Sequence, residues 1–320
     1  MRCPTLAELP PPPSGKKGWP WTVESAQLPD ATPGGKRWPR VSIVTPSFNQ
    51  GQFIEETIRS VLLQGYPELE YIIMDGGSTD GTIDILRKYD RYIAVWTSGL
   101  DGGQADAINK GFARAHGQIF AWLNSDDVYE NDVVGEAASL FEKWNNVDVI
   151  SGRCRLWKGN DLGKIIEPSP LRTFEDFLAI NSNWLRLRII IQPEAFFRQS
   201  AFQKAGGLRK ELHYSFDACL WMDMAKSGCV FTSVDRHWAN LRRHNGQKTA
   251  DVSKAHAELA RVAWDHLVEG WATATNPIIL ANDIFSGVES LLLGQIGRTE
   301  NVLQSTSYRI GRLITKRKFW

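Results

Sequence analysis

Between residues 41 and 123 the hydrophobic positions keep changing period. The run Val41-Ser-Ile-Val-Thr45 predicts a strand, after which Ile54, Ile58, Val61 and Leu62 fall on one helical face that Gly65 and Pro67 terminate. The pattern then predicts a strand over 69–75, a helix over 82–89 with Asp80 placed to cap it, and a strand over 93–97. A helix over 104–115, with Ala105, Ile108, Phe112 and Ala115 on one side, leads to a strand over 119–123. Alternation of this kind implies an α/β fold whose mostly parallel sheet is covered by helices on both faces.

Outside this stretch the pattern changes. Residues 1–38 hold Pro10–Pro13, Gly34, Gly35 and the tryptophans Trp19, Trp21 and Trp38, which favours an extended arm with its indoles docked on the body. Residues 189–197 predict a strand, followed by a short helix ending at Gly206 and Gly207 and a helix from Asp217 that buries Leu220, Trp221 and Met224. Beyond 250, Val252, Ala255, Leu259, Val262 and Leu267 mark an amphipathic helix, and Ile284, Val288, Leu291 and Leu292 mark another over 283–297. The chain thus divides into segments 1–38, 39–130, 131–250 and 251–320, the last a helical extension.

Composition narrows the function. The 320 residues are 42% hydrophobic and 23% charged, as in an ordinary globular enzyme, and the formal net charge of +1 gives no bulk support for nucleic-acid binding. Cys3, Cys154, Cys219 and Cys229 show neither CxxC spacing nor close pairs, so reduced thiols are expected. No signal-peptide core opens the chain, no stretch approaches about 18 uninterrupted apolar residues, and a cytoplasmic body is expected. No GxGxxG follows the first strand, and Gly76–Thr82 lacks the lysine of a phosphate loop, so dehydrogenase and kinase chemistry recede.

What remains is acid at the ends of strands: YIIMDGGSTDGT over 71–82 and AWLNSDD over 121–127. Open α/β sheets bind ligands at the carboxyl ends of their strands, and carboxylates there suit a polyanion held through a hard divalent ion such as Mg²⁺ or Mn²⁺. Each acid also has a plainer explanation. Asp75 can stabilise the turn it opens, and Asp126 and Asp127 can cap a helix starting near Asn131.

The segments TPSFN (45–49), DGGSTDGT (75–82), DGGQADAINKG (101–111) and NSDD (124–127) together resemble the inverting family 2 glycosyltransferases of the GT-A fold, over about residues 39–250. The resemblance implies a nucleotide-sugar donor, with Thr45, Pro46 and Asn49 in the nucleotide loop and Asp75 and Asp101 as nucleoside contacts. It makes the NSD segment the counterpart of the family's DxD: Asn124 and Ser125 beside the ribose, Asp126 on the metal. Asn124 replaces an aspartate, so it can hydrogen-bond a ribose hydroxyl but brings no charge to the cation. Residues 39–130 become the donor half and 131–250 the acceptor half.

In the acceptor half, LHYSFDACLWMDMAKSG resembles the family's base-bearing stretch and makes Asp217 the general base. Phe216 and Cys219 stand where acidic residues are usual, an apolar change that would raise the pKa of a buried Asp217. A helix N-cap is its alternative role. The cluster Arg242, Arg243, His244, Asn245, Gly246 and Lys248 resembles the region that closes over the diphosphate, with His244 on the metal and Arg243 or Lys248 on phosphate; a surface histidine is the plainer explanation. The basic amphipathic end, 308–320, suits an anionic inner leaflet and a lipid-linked acceptor, or else a solvated or docked terminus.

The expectation is therefore an enzyme moving a single sugar to a hydroxyl acceptor in surface polysaccharide or glycolipid synthesis. No QxxRW motif of processive synthases is present. A non-catalytic sugar-nucleotide-binding or scaffold subunit, and a nucleotidyltransferase without its usual GxGTRL segment, are the rivals.

Overall fold

The computed structural model describes residues 1–159, 161–244, 246–248, 252–270 and 274–293. Its centre is an eight-stranded sheet. The strands are β1 (Val41–Ser47), β2 (Leu69–Asp75), β3 (Val95–Ser98), β4 (Ile119–Trp122), β5 (Val128–Tyr129), β6 (Val149–Trp157), β7 (Ala195–Arg198) and β8 (Phe231–Arg242), in the spatial order β3-β2-β1-β4-β7-β6-β8-β5. The first four run parallel; β7 is antiparallel to β4 and β6, β8 is parallel to β6, and β5 is antiparallel to β8. The expected mostly parallel α/β sheet is present, with a mixed far half.

Side chains alternate across the donor-half strands, which is why helices cover both faces. Ile43, Tyr71 and Ile73 join a core with Ile54, Ile58 and Val61 of α1 (Ile54–Leu62) and Leu86 of α2 (Thr82–Tyr89). Val44, Ile72 and Met74 join the other core with Ile108 and Phe112 of α3 (Gln104–Phe112). α3 lies so close to β1 that a Cβ at Gly111 would sit 2.5 Å from Val44 Cγ1, a contact only glycine permits. The remaining helices are α4 (Val133–Lys143), α5 (Phe174–Leu178), α6 (Gln199–Ala205), α7 (Phe216–Lys226), α8 (Val252–Gly270) and α9 (Pro277–Leu293).

Three elements differ from expectation by three residues or more. The strand expected over 189–197 is confined to 195–198, because Pro193 cannot donate to a ladder and Gln192–Glu194 form a 3-10 turn instead. α3 stops at Phe112, three residues early. α9 begins at Pro277, where proline suits a first helical position, and not at 283. The 308–320 tail lies outside the described residues, and among the described residues no helix is long and apolar enough to cross a membrane.

The N-terminal arm packs on the body. Trp21 and Trp38 are buried, and Trp19 donates its indole N–H to the Tyr129 carbonyl. Arg59 of α1 is wholly buried and donates to the carbonyls of Pro10, Pro20 and Trp21 and to the Tyr89 hydroxyl, which in turn donates to Glu55.

Candidate functional site

The carboxyl edge of the donor-half strands opens onto a cleft of about 700 Å³. From the donor half it is lined by Pro46, Ser47, Asp101, Gln104 and the run Asn124–Asp127, and from the acceptor half by Gln192, His213, Asp217 and Lys248. Leu123 extends the β4 ladder by donating to Val44, and the chain then turns, with Asp127 N–H on the Asn124 carbonyl. The Thr57 hydroxyl of α1 binds the carbonyls of Ser125 and Asp127, so the turn is fixed from beneath.

Asp126 and Asp127 are adjacent yet differently employed. Asp127 is 1% exposed; its carboxylate accepts from Arg242 N–H at 2.9 Å and Asn124 Nδ2 at 3.2 Å. Burial, and then the neighbouring Asp126 charge, hold its carboxyl well above the ordinary range. Asp126 lines the cleft and meets His244 Nε2 at 3.0 Å, while its carbonyl is taken by Arg242 Nε. Neither caps a helix: α4 begins after Asp132. Arg242 completes the frame by pairing with Glu56 at 2.8 Å and stacking on Trp157.

This geometry accounts for Asn124. Its Nδ2 donates to Asp127 and its Oδ1 accepts from Gln104 Nε2 at 2.8 Å. A carboxylate at 124 would offer Asp127 a second negative charge where the amide offers a donor.

Asp217 sits in the first turn of α7, where Ser215 and not Asp217 occupies the N-cap. Its carboxylate accepts from Ala218 N–H at 2.7 Å and faces the cleft half-buried, and loss of solvation raises its pKa to about 6. Phe216 is buried beside it, as the apolar substitution suggested; the Cys219 thiol, by contrast, points to Asp223. Lys248 lies over the rings of Tyr214 and Phe216, its pKa lowered by burial.

Several expected contacts are not brought together. Thr45 is fully buried against the Tyr71 hydroxyl at 3.0 Å, because in β1 it shares the side of Ile43, the face of the sheet that α1 and α2 cover. Asn49, at φ 52°, ties two loops by accepting from Thr79 N–H and does not line the cleft. Asp75 spends its oxygens on Gly77 N–H, Ser78 N–H and the hydroxyls of Ser78 and Ser98, the turn-stabilising role, and lines not this cleft but a smaller pocket of about 240 Å³ that Asp101 also lines. Arg243 is exposed and outside the cleft, since β8 ends by turning Arg242 inward, and among the described residues Lys248 is the cation that lines it. Pro46, Asp101, Asn124, Ser125, Asp126 and Asp217 do share the cleft, with His244 joined through Asp126. Sequence reasoning missed Gln104, an uncharged member of the DGGQADAINKG segment, and Gln192, which belongs to none of the four motifs.

The chain is similar to known proteins in sequence and in fold. The profile described as Glycosyl transferase family 2 matches residues 42–206. TuaG of Bacillus subtilis, a glycosyltransferase assigned to teichuronic acid biosynthesis, is 37% identical over 221 residues, 68% of this chain and 84% of its own. Among solved structures, residues 1–349 of S. aureus TarS in complex with UDP-GlcNAc superpose with a TM-score of 0.60 at 17% identity, over 78% of this chain and 71% of that one. The mannosyltransferase PcManGT of Pyrobaculum calidifontis, in complex with GDP-Man and Mn²⁺, gives 0.55 at 17% identity over 93% and 85%. The chain belongs to glycosyl transferase family 2 and has the GT-A fold.

Proposed function

We propose that the protein is an inverting glycosyltransferase that moves one sugar from a nucleoside-diphosphate donor to a hydroxyl acceptor. The observation that carries this reading is one cleft lined both by Asp126, from the end of β4, and by Asp217, from the start of α7. A single in-line displacement needs those two functions at separate places. Asp217 takes the acceptor hydroxyl's proton, the acceptor oxygen bonds to the anomeric carbon, and the bond from that carbon to the diphosphate oxygen breaks on the opposite face. A pKa near 6 keeps Asp217 ionised at neutral pH and a stronger base than an ordinary aspartate.

Asp126 and His244 are the pair suited to a divalent cation. Their carboxylate and imidazole are the oxygen and nitrogen donors that Mn²⁺ accepts, and Asp126 is oriented by Arg242 at its carbonyl. The chemistry such an ion supplies when bound is neutralisation of the charge that gathers on the departing diphosphate. Asp101, Asn124 and Ser125 are proposed for the nucleoside side of the cleft. TuaG's assignment to teichuronic acid biosynthesis supports surface-polysaccharide synthesis as the setting.

Calorimetric titration of UDP, GDP, dTDP and CDP, with and without Mn²⁺, tests the donor side. Selective binding that Mn²⁺ strengthens, and that Asp126→Ala makes insensitive to Mn²⁺, is expected. A wild-type protein that binds none of the four would overturn the reading.

A further inference from the structure

Just beneath the surface of the cleft lie polar atoms without partners. Gln192 is 7% exposed and Trp122 is 1% exposed; both line the cleft, and Gln192 Oε1 and Trp122 Nε1 are buried with no hydrogen-bond partner among the described residues. Burying an unmatched acceptor and an unmatched donor in two residues joined by a hydrogen bond destabilises the unliganded fold, so they call for an explanation.

The orientation of the Gln192 amide is set by chemistry. Its nitrogen lies 2.5 Å from the Trp122 carbonyl, and because a carbonyl only accepts, the amide cannot be turned over without setting oxygen against oxygen. The nitrogen is therefore committed to β4 and the oxygen is left over. The backbone is equally fixed. Gln192 opens the 3-10 turn with Pro193, and the buried Glu194 carboxylate accepts the Ile191 N–H at 3.0 Å. A residue needed only to pin β4 would require the donor alone, and the buried oxygen would be a net cost.

Position identifies the ligand group. Gln192 is bonded to the main chain of Trp122, two residues before Asn124 and four before Asp126, and it shares the cleft with Asp217. In the proposed reaction the group lying between the diphosphate and the base is the donor's sugar ring. A sugar hydroxyl both donates and accepts, and so can satisfy an unpaired carbonyl oxygen or an unpaired indole N–H.

We infer that Gln192, with Trp122 beside it, is the residue that reads a hydroxyl of the donor sugar and so sets which sugar is transferred. This rests on the glycosyltransferase reading above. A site built around a hydroxyl discriminates strongly against a sugar that lacks it or turns it away, because the protein oxygen is then left unpaired again.

The test compares binding of UDP-glucose, UDP-galactose, UDP-N-acetylglucosamine, GDP-mannose and GDP-glucose with binding of UDP and GDP, on wild type, Gln192→Met and Gln192→Glu. Wild type should bind one sugar nucleotide more tightly than the other sugars on the same base. Gln192→Met should leave UDP and GDP affinities within about twofold, which also reports an intact fold, while reducing that preference about 10- to 100-fold. Gln192→Glu, held protonated by its burial, can donate its O–H to the Trp122 carbonyl and keep an acceptor oxygen, and should retain part of the preference. A preference unchanged in Gln192→Met overturns the inference, as does a wild type that shows no sugar preference, or a variant altered only in acceptor KM. If wild type binds no nucleotide at all, the underlying donor reading fails first and takes this one with it.

Discussion

The ends of β2 and β4 look alike in the sequence, each an apolar run closed by acid, yet the structure uses them in opposite ways. At the end of β2, Gly76, Gly77 and Ser78 fold back so that Asp75 is satisfied by its own turn, with Ser98 of the neighbouring strand supplying a further donor. At the end of β4 a second acid takes the local donors. Asp127 turns inward to Arg242 and Asn124, leaving Asp126 in the cleft with a partner from 118 residues away. A strand-end carboxylate becomes available to a ligand when a neighbour absorbs the donors that would otherwise consume it.

The largest test of this contrast lies across the cleft. Asp217→Asn keeps size and hydrogen bonding but cannot take a proton, so transfer should fall about 10²- to 10⁴-fold with nucleotide affinity preserved, measured by single-turnover kinetics. Asp126→Ala should weaken Mn²⁺-assisted nucleotide binding by about 10- to 100-fold in the calorimeter. Asp75→Asn should do the reverse: it disturbs a buried turn, costing about 1–3 kcal/mol and lowering Tm by a few degrees, while nucleotide affinity stays near wild type. If Asp75→Asn instead loses nucleotide as severely as Asp126→Ala, the two strand ends are equivalent and the contrast is broken.

The smallest effect is graded with pH. Because the Asp217 pKa is raised to about 6 and its base form is the ionised one, kcat/KM should rise as pH increases through about 6 and fall roughly tenfold per unit below it. A flat profile from pH 5 to 8 would separate Asp217 from the proton transfer.

The donor half was legible because each strand and helix there is decided by a local apolar period: β1, β2, α1 and α2 lie where the pattern puts them. Residues 189–194 were not, since the apolar run Ile189-Ile190-Ile191 has the composition of a strand and only Pro193 contradicts it. Motif reading brought Asp126, Asp101 and Asp217 to one cleft but could not tell that Thr45 faces the core or that Asn49 serves the loop. Those outcomes depend on strand facing and on partners some 26 to 30 residues away. Gln192 was invisible for a related reason. An uncharged amide carries no signal until a backbone carbonyl from another strand fixes which of its ends is free.

The buried guanidinium of Arg59 gives the N-terminal arm a meaning that a change of composition at residue 38 conceals. Its nitrogens end on carbonyls of residues 10, 20 and 21 and, through Tyr89, reach Glu55. Strip away the first 38 residues and that cation would face a hollow where its solvation had been. The arm is in effect the solvent of α1, supplied by the chain itself, and a shortened protein would have to find water for Arg59 before it could hold the sheet on which the cleft is built.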